Sequence, residues 1–555
     1  MKSSRARSWA TGLVAVADIL FIAFANAGQY AITADPPVPR PGTKPCTVQL
    51  FENFRFDNFA PRFFNYLPPL DCPRPWAKVV FEADFYVTMG RQFDRTANIW
   101  IGGTNIYFGT TQEPSATVSP SWHVERDLTD YSPLFAELQK GRVDLGNLVD
   151  STYTGVIYGS SNLQFYPVAP GQAPPTTADL VLPLSGNPTG GTTALETTDS
   201  VLERSFILPT NIERAYLDLV AQSQASDEFW MLCVPSELAS QLRSCGGTGF
   251  REAEIAIDAV PAGVAPIYPW IYTGGIDPYL WRPIPGIQTL NFLPYRVDLT
   301  PFAGVLSNGR AHSVSIRVYN ANHNFATTGS LLVYLDSGST EVTGEVTRNT
   351  LEARPTPDIQ TDVSTVEGVT TATVNIYSSR RFEIAGFVNT SHGIVDTRVE
   401  QSIDFSSEQQ FNITSTSFAQ DLTQRTNISS LTTTRSGDAE VADHRQFEWP
   451  LTLSFSASPR PDGYTGRTTI IRQLYSDQET VTQDGSPFFS REVSSVMNTR
   501  DTLVVQGSTI VGRENQASAH QYFGRDSGGA CYSRTITSEM GLVTGIVDGE
   551  GCTGR

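Results

Sequence analysis

The chain has 555 residues, enough for about two to four domains, and carries a net charge of −18, with 39 Lys and Arg against 57 Asp and Glu. That shortage of cations excludes nucleic acid as a partner, because phosphate binding needs concentrated Lys and Arg. Apolar residues at 40% exclude a disordered chain, and 44 Gly, 35 Pro and 10% aromatics favour strands and turns over helices.

The first 27 residues have the build of a secretory signal peptide. Lys2, Arg5 and Arg7 precede an apolar run from Leu13 to Phe24, and Ala25-Asn26-Ala27 sets small residues where a signal peptidase reads. Asp18 inside the run disfavours a retained anchor, since a charge at mid-bilayer is costly. No other stretch approaches ~20 uninterrupted apolar residues, so after signal removal no membrane contact is expected. The mature chain should be secreted, or held in an acidic secretory compartment. Six cysteines lie in three close sequence pairs, Cys46 with Cys72, Cys233 with Cys245 and Cys531 with Cys552. Several connectivities are open, and local pairing into three disulfides is the simplest. No Cys-x-x-Cys occurs, which disfavours zinc or redox chemistry through cysteine.

Strand patterns follow along the chain, at Lys78–Thr88, Asn98–Phe108, Arg214–Ser223, His312–Ala321 and Ser330–Asp336. One short helix is expected at Tyr131–Gly141, capped by Asp127 or Thr129. Residues 171–204 are rich in Pro, Gly and Thr and read as a linker or long loop around one strand. They separate a first domain, 28–170, from a second, 205–340. Beyond residue 340 Thr and Ser dominate, and alternating strands recur at Thr371–Tyr377 and Trp449–Ala457. Residues 341–555 are expected to form a further C-terminal β domain. Its sequons at Asn389, Asn412 and Asn427 mark it as surface-rich and glycosylated; Asn187 is excluded by Pro188. Many short strands without a fixed repeat argue for an all-β chain of sandwich or jelly-roll domains.

The segment from Pro73 to Gly103 carries the strongest motif, Gly90-Arg91-Gln92-Phe93-Asp94-Arg95. Thr110–Pro114, Ser121–Phe135, Ile207–Leu217, Asp227–Met231, Gly249–Glu252, Ile267–Pro283 and Pro294–Phe302 follow in order. Together these blocks resemble the peptide-N-glycosidase A family over residues 44–336, and less beyond residue 340. More distantly, Phe93-Asp94-Arg95 and Leu208–Asn211 are similar to motifs of bacterial peptide-N-glycosidase F. The resemblance implies two adjacent jelly-roll β-sandwiches with the active site at their interface. It also implies a secreted amidase acting on N-glycopeptides or N-glycoproteins, with no cofactor.

Such an amidase must drive water onto an amide carbonyl while the nitrogen leaves with its sugar. Two carboxyl groups suffice, one to activate water and one to supply a proton, and burial with mutual repulsion can keep one of them protonated. Asp94 matches the family's essential aspartate. The second carboxylate is open between Glu252, Glu228 and Glu113. Arg95, Arg251 and Arg282 are candidates to bind carbonyl or sugar oxygens, and Trp122, Trp230, Trp270 and Trp281 to pack on sugar faces. A tryptophan in such a block is more often core than a sugar platform.

Three other motifs mislead. Asp526-Ser527-Gly528-Gly529 lacks the histidine base of a serine protease, and Asp336-Ser337-Gly338 is one half of an aspartic-protease pair without the other. His123, His312, His323, His392, His444 and His520 are scattered, which disfavours a copper site; His123 and His312 read as hydrogen-bonded structure. The rival reading is a glycan-binding or structural glycoprotein that kept the fold and lost catalysis.

Overall fold

The computed structural model describes residues 31–552; the expected signal peptide, residues 1–27, lies outside them. Strands dominate, as composition requires, and they form two sandwiches and one large sheet. In the first sandwich, Cys46–Phe56, Ile157–Pro167, Trp76–Val87 and Ser121–Asp127 pair in that order. Against them lie Arg62–Tyr66, Gln139–Asp144, Thr96–Ile101 and Thr104–Thr110. Counted along the chain, the two sheets read first-eighth-third-sixth and second-seventh-fourth-fifth. Phe81, Phe85, Tyr107, Phe135 and Phe165 fill the space between them.

The second sandwich repeats that order. Thr193–Leu195, Phe325–Leu335, Ile212–Ser223 and Tyr295–Asp298 form one sheet, and Leu180–Pro183 adds a strand beside Phe325–Leu335. Leu202–Ile207, Ala311–Tyr319, Glu252–Ile257 and Val260–Pro266 form the other. The second sandwich therefore begins inside residues 171–204, expected as a linker. The Pro and Gly clusters there punctuate short strands rather than loosen the chain. The expected helix at Tyr131–Gly141 is instead a 3₁₀ turn, Thr129–Phe135, followed by the strand Gln139–Asp144. Pro133 inside the turn denies an α-helix its hydrogen bond.

The sandwiches meet along two strands. Thr104–Thr110 is buried throughout and Phe325–Leu335 almost so, as strands covered on both faces are. Leu332 and Tyr334 of the second sandwich pack into the core of the first. Arg296 crosses the seam to Asp130 at 2.7 Å, and is held from its own sheet by Asp218 at 2.7 Å. The connection 267–294 also crosses. Its Thr289 carbonyl accepts from the Thr110 amide at 2.8 Å, and its Phe292 amide donates to Phe108 at 2.8 Å.

Residues 343–548 form one antiparallel sheet of 11 strands, and from Val369 to Asp548 successive strands pair in chain order. Val369–Thr390 alone has 22 residues, about 70 Å of extended chain. Burial alternates with period two along it. The inner apolar residues, Val374 to Ile536, join the same hydrophobic core as the second sandwich. This sheet is a single layer completed by the second sandwich, and it closes no core of its own. Polar side chains along the inner face reach over to that sandwich's backbone: Gln473 donates to Pro269 at 2.7 Å and Gln409 to Cys233 at 3.0 Å.

Cys233–Cys245 and Cys531–Cys552 are disulfide-bonded. The third expected bond is absent. Cys46 and Cys72 are free thiols in mutual contact, and burial, with Cys46 second, pushes the Cys72 thiol up to about 12. Asn389 and Asn412 are exposed on the outer face of the large sheet, and Asn427 is partly so.

Candidate active site

The site grows from a hairpin. Thr96–Ile101 and Thr104–Thr110 turn at Gly102-Gly103, both at positive φ (57° and 84°), which suits the left-handed two-residue turns that hairpins favour. Thr96 pairs with Thr110, so the residues just beyond the open end face each other. The Arg95 amide donates to Thr111 Oγ1 at 2.8 Å, and the Thr111 amide to the Arg95 carbonyl at 2.9 Å. This extension sets Asp94 beside Glu113, whose Oε1 accepts from the Asp94 amide at 3.3 Å.

Two pieces of the second sandwich close on that pair. Glu228 follows the strand Ile212–Ser223 by a 3₁₀ turn, Ala225–Asp227. The connection 267–294 brings Arg282 onto Glu113 Oε2, and Tyr272 beneath. The buried Tyr272 hydroxyl donates to the Ser223 carbonyl at 2.9 Å, and its phenol is raised by burial first and by the charges of Glu228 and Asp94, against hydrogen bonds with Ser223 and Gln222.

Three carboxyl groups thus share one seam. Burial, then repulsion from Glu113 and Glu228, holds Asp94 well above the usual carboxylate range; Arg95 offsets this in part. Glu113 is raised by burial and opposed chiefly by Arg282. Glu228 is raised by burial and by Glu113, and has no ion-pair partner among the described residues. Arg95 is held in place by Gln92 Oε1 at 2.7 Å. On the solvent side Phe93, 47% exposed, lies 5.4 Å from the Tyr153 ring, with the Arg91 guanidinium 5.3 Å from the same ring.

Asp94, Glu113, Glu228, Arg95 and Arg282 are therefore brought together, and the remaining candidates are not. Glu252 is 2% exposed and pairs with Arg380 of the large sheet at 2.9 Å. Arg251, with no exposed side chain, is spent on the equally buried Asp227 at 2.9 Å and on neighbouring carbonyls, so it cannot reach substrate. Trp122, Trp230, Trp270 and Trp281 are 0–6% exposed and belong to the cores rather than to a sugar platform. His123 bonds Asp84 at 2.8 Å and His312 bonds Asp258 at 2.6 Å.

Tyr272 and Gly274 are functional neighbours that sequence reasoning missed; the Gly274-Gly275 pair was the available signal. Gly274 sits at φ +81°, and a Cβ there would stand 2.3 Å from Glu113 Oε1. Gly274→Ala should cost about 1–2 kcal/mol of stability for the left-handed backbone. It should cost far more in catalysis, because Glu113 must leave Arg282 and the Asp94 amide. Melting temperature and kcat measured together check this; full activity would show that Glu113 need not hold its position.

The sequence model described as peptide N-acetyl-beta-D-glucosaminyl asparaginase amidase A matches residues 36–352. Peptide-N4-(N-acetyl-beta-glucosaminyl)asparagine amidase A of Prunus dulcis is 32% identical over 393 residues, spanning 67% of this chain and 67% of its own. Among solved structures, PNGF-II aligns with TM-score 0.37 at 14% identity, covering 53% of this chain and 65% of its own. PNGase F of Flavobacterium meningosepticum aligns with TM-score 0.35 at 14% identity, covering 53% of this chain and 97% of its own. With the sequence model spanning over half the residues and the Prunus relative at that identity, the chain belongs to the peptide N-acetyl-beta-D-glucosaminyl asparaginase amidase A family, a family of amidases.

Proposed function

We propose that this chain hydrolyses the amide between the innermost N-acetylglucosamine and asparagine of N-glycopeptides. The observation that carries it is the trio Asp94, Glu113 and Glu228 at the seam of the two sandwiches, with Arg282 fixing one of the three. Glu113 is buried and Asp94 and Glu228 are partly so. Burial raises all three, repulsion adds to it at Asp94 and Glu228, and this favours one holding a proton near working pH. Asp94, the most strongly raised, is that donor. Glu228, without a cation, takes a proton from water as the water attacks the carbonyl carbon. Asp94 gives its proton to the departing nitrogen, and the carbon–nitrogen bond breaks. A glycosylamine leaves, and asparagine remains as aspartate. Glu113, held by Arg282 and the Asp94 amide, keeps the donor oriented and its charge keeps the donor protonated.

The chain acts outside the cell or in an acidic secretory compartment, on this reading. Two disulfides and exposed sequons on the outer face support it. Mass spectrometry of a defined N-glycopeptide after incubation at mildly acidic pH tests the reaction. Conversion of the glycosylated Asn to Asp with release of the whole glycan is expected. One sugar left on the peptide would mean a glycosidase instead, and an unchanged glycopeptide would sink the amidase reading.

A further inference from the structure

The connection 267–294, which delivers Arg282 to Glu113, is backed by the large sheet. Its Leu280 carbonyl accepts from Thr499 Oγ1 at 3.3 Å and from Ser518 Oγ at 3.2 Å. Those two residues pair across the strands Ser486–Gln506 and Thr509–Asp526. One residue earlier in the connection is Tyr279. The Arg513 guanidinium of the large sheet stands 4.2 Å from its ring centroid, and that of Arg282 stands 5.7 Å from it. Little else aims Arg282. Among the described residues Glu113 is the one acceptor it reaches, and its Nε is buried without a partner. A guanidinium with a single acceptor is placed by what it packs on, and an aromatic face attracts it.

A break in the ladder puts Arg513 there. Along Thr509–Asp526 the buried residues alternate, at Gln516, Ser518 and His520. Unbroken alternation would turn Arg513, three residues before Gln516, to the outer face. Instead Arg500 pairs with Ala517 and Thr502 with Glu514, so Asp501 alone opposes Asn515 and Gln516. Asn515 takes φ 60°. This β-bulge reverses the parity, so Arg513 pairs with the buried Leu503 and faces inward. There its Nε donates to Asp501 Oδ2 at 3.0 Å, and the Asp501 side chain has no exposed surface. A buried ion pair adds little net stability, but it fixes the guanidinium against Tyr279. The contacts thus run from Asp501 through Arg513, Tyr279 and Arg282 to Glu113.

We propose that Arg513 of the large sheet is a positioning residue for the reaction at the carboxylates, acting through the Tyr279 ring on the hold of Arg282 on Glu113. The role rests on the amidase reading; the chain of contacts does not. Two variants of the full chain test it. Tyr279→Leu removes the ring, and Asp501→Asn/Arg513→Gln removes both charges together, so neither is left buried alone. Each is assayed on a defined N-glycopeptide across pH, beside melting curves. The expected result is a kcat lower by roughly ten- to a hundredfold, with KM within about twofold of wild type. The pH profile should move as well. Glu113 faces Asp94, Arg95, Arg282 and Glu228, and Arg282 is the chief charge that holds it down. Loosening Arg282 lets Glu113 rise, so the acid limb of kcat should shift to higher pH. Tyr279→Phe keeps the ring and should recover most of the turnover lost in Tyr279→Leu, and the limb with it. A residue that merely docks the sheet would lower the melting temperature and leave the acid limb in place. That outcome, or wild-type kcat in both variants, would overturn the role while the amidase reading stands. A wild type that leaves the glycopeptide unchanged would overturn both.

Discussion

Asp94→Asn should lower turnover of an N-glycopeptide by on the order of 10³-fold while leaving the protein folded. The amide keeps the size of the carboxyl but can neither hold nor deliver the proton. Stability should move the other way. Burial and the charges of Glu113 and Glu228 raise the Asp94 carboxyl in the folded chain, so the folded state binds more protons than the unfolded one. Wild-type stability from this group is therefore undiminished at acidic pH and falls as pH rises above the ordinary carboxylate range. The variant lacks that slope and should melt at the same temperature or higher at neutral pH. Product formation by mass spectrometry and melting curves at pH 5 and 7.5 check both halves. Turnover within tenfold of wild type would remove Asp94 from the mechanism.

Arg380→Leu should be the most destabilising single change at the seam between the second sandwich and the large sheet. It strips the cation from Glu252, whose side chain is 2% exposed, and breaking a buried pair costs about 3–5 kcal/mol. Glu252 already sits at about 7, raised by burial first and by Glu254, with Arg380 pulling it down. Without Arg380 it rises further. A raised carboxyl costs nothing while protonated and costs most when forced to ionise, so the deficit should be full at pH 8 and much smaller at pH 5. Denaturant titrations at the two pH values measure it. An equal loss at both would mean the leucine simply fits badly.

These two carboxyl environments show what the sequence could and could not disclose. Asp94 was legible from its motif, Gly90–Arg95, and Glu113 was one of three open second carboxylates. The hairpin register that sets Glu113 beside Asp94, 19 residues on, is seen only in the fold. The ion pair of Glu252 was not legible, because its partner lies 128 residues away on a sheet whose docking no local pattern encodes. Arg251 fell for the same reason: only the fold reveals that Asp227 has claimed it. The tryptophans announce burial but not which side of a core they face. Strand positions and the all-β class followed from alternation, and two of three cysteine pairings from proximity. The extent of the second sandwich was hidden because its first strands are short and set among turn residues.

The two kinds of β architecture differ in how far the chain must travel to pair. In the first sandwich Cys46 lies beside Phe165, so its opening strand waits for its last before the sheet can close. In the large sheet Thr390 meets Gly393 and every later partner is the next strand along. Loop closure over such short spans costs little entropy. Once Val369–Thr390 has docked on the second sandwich, the remaining strands can add one at a time, each templated by the one before. The sheet should then gain order outward to its C-terminal edge and lose it from that edge inward, as a row of nearest-neighbour steps in the manner of a repeat array.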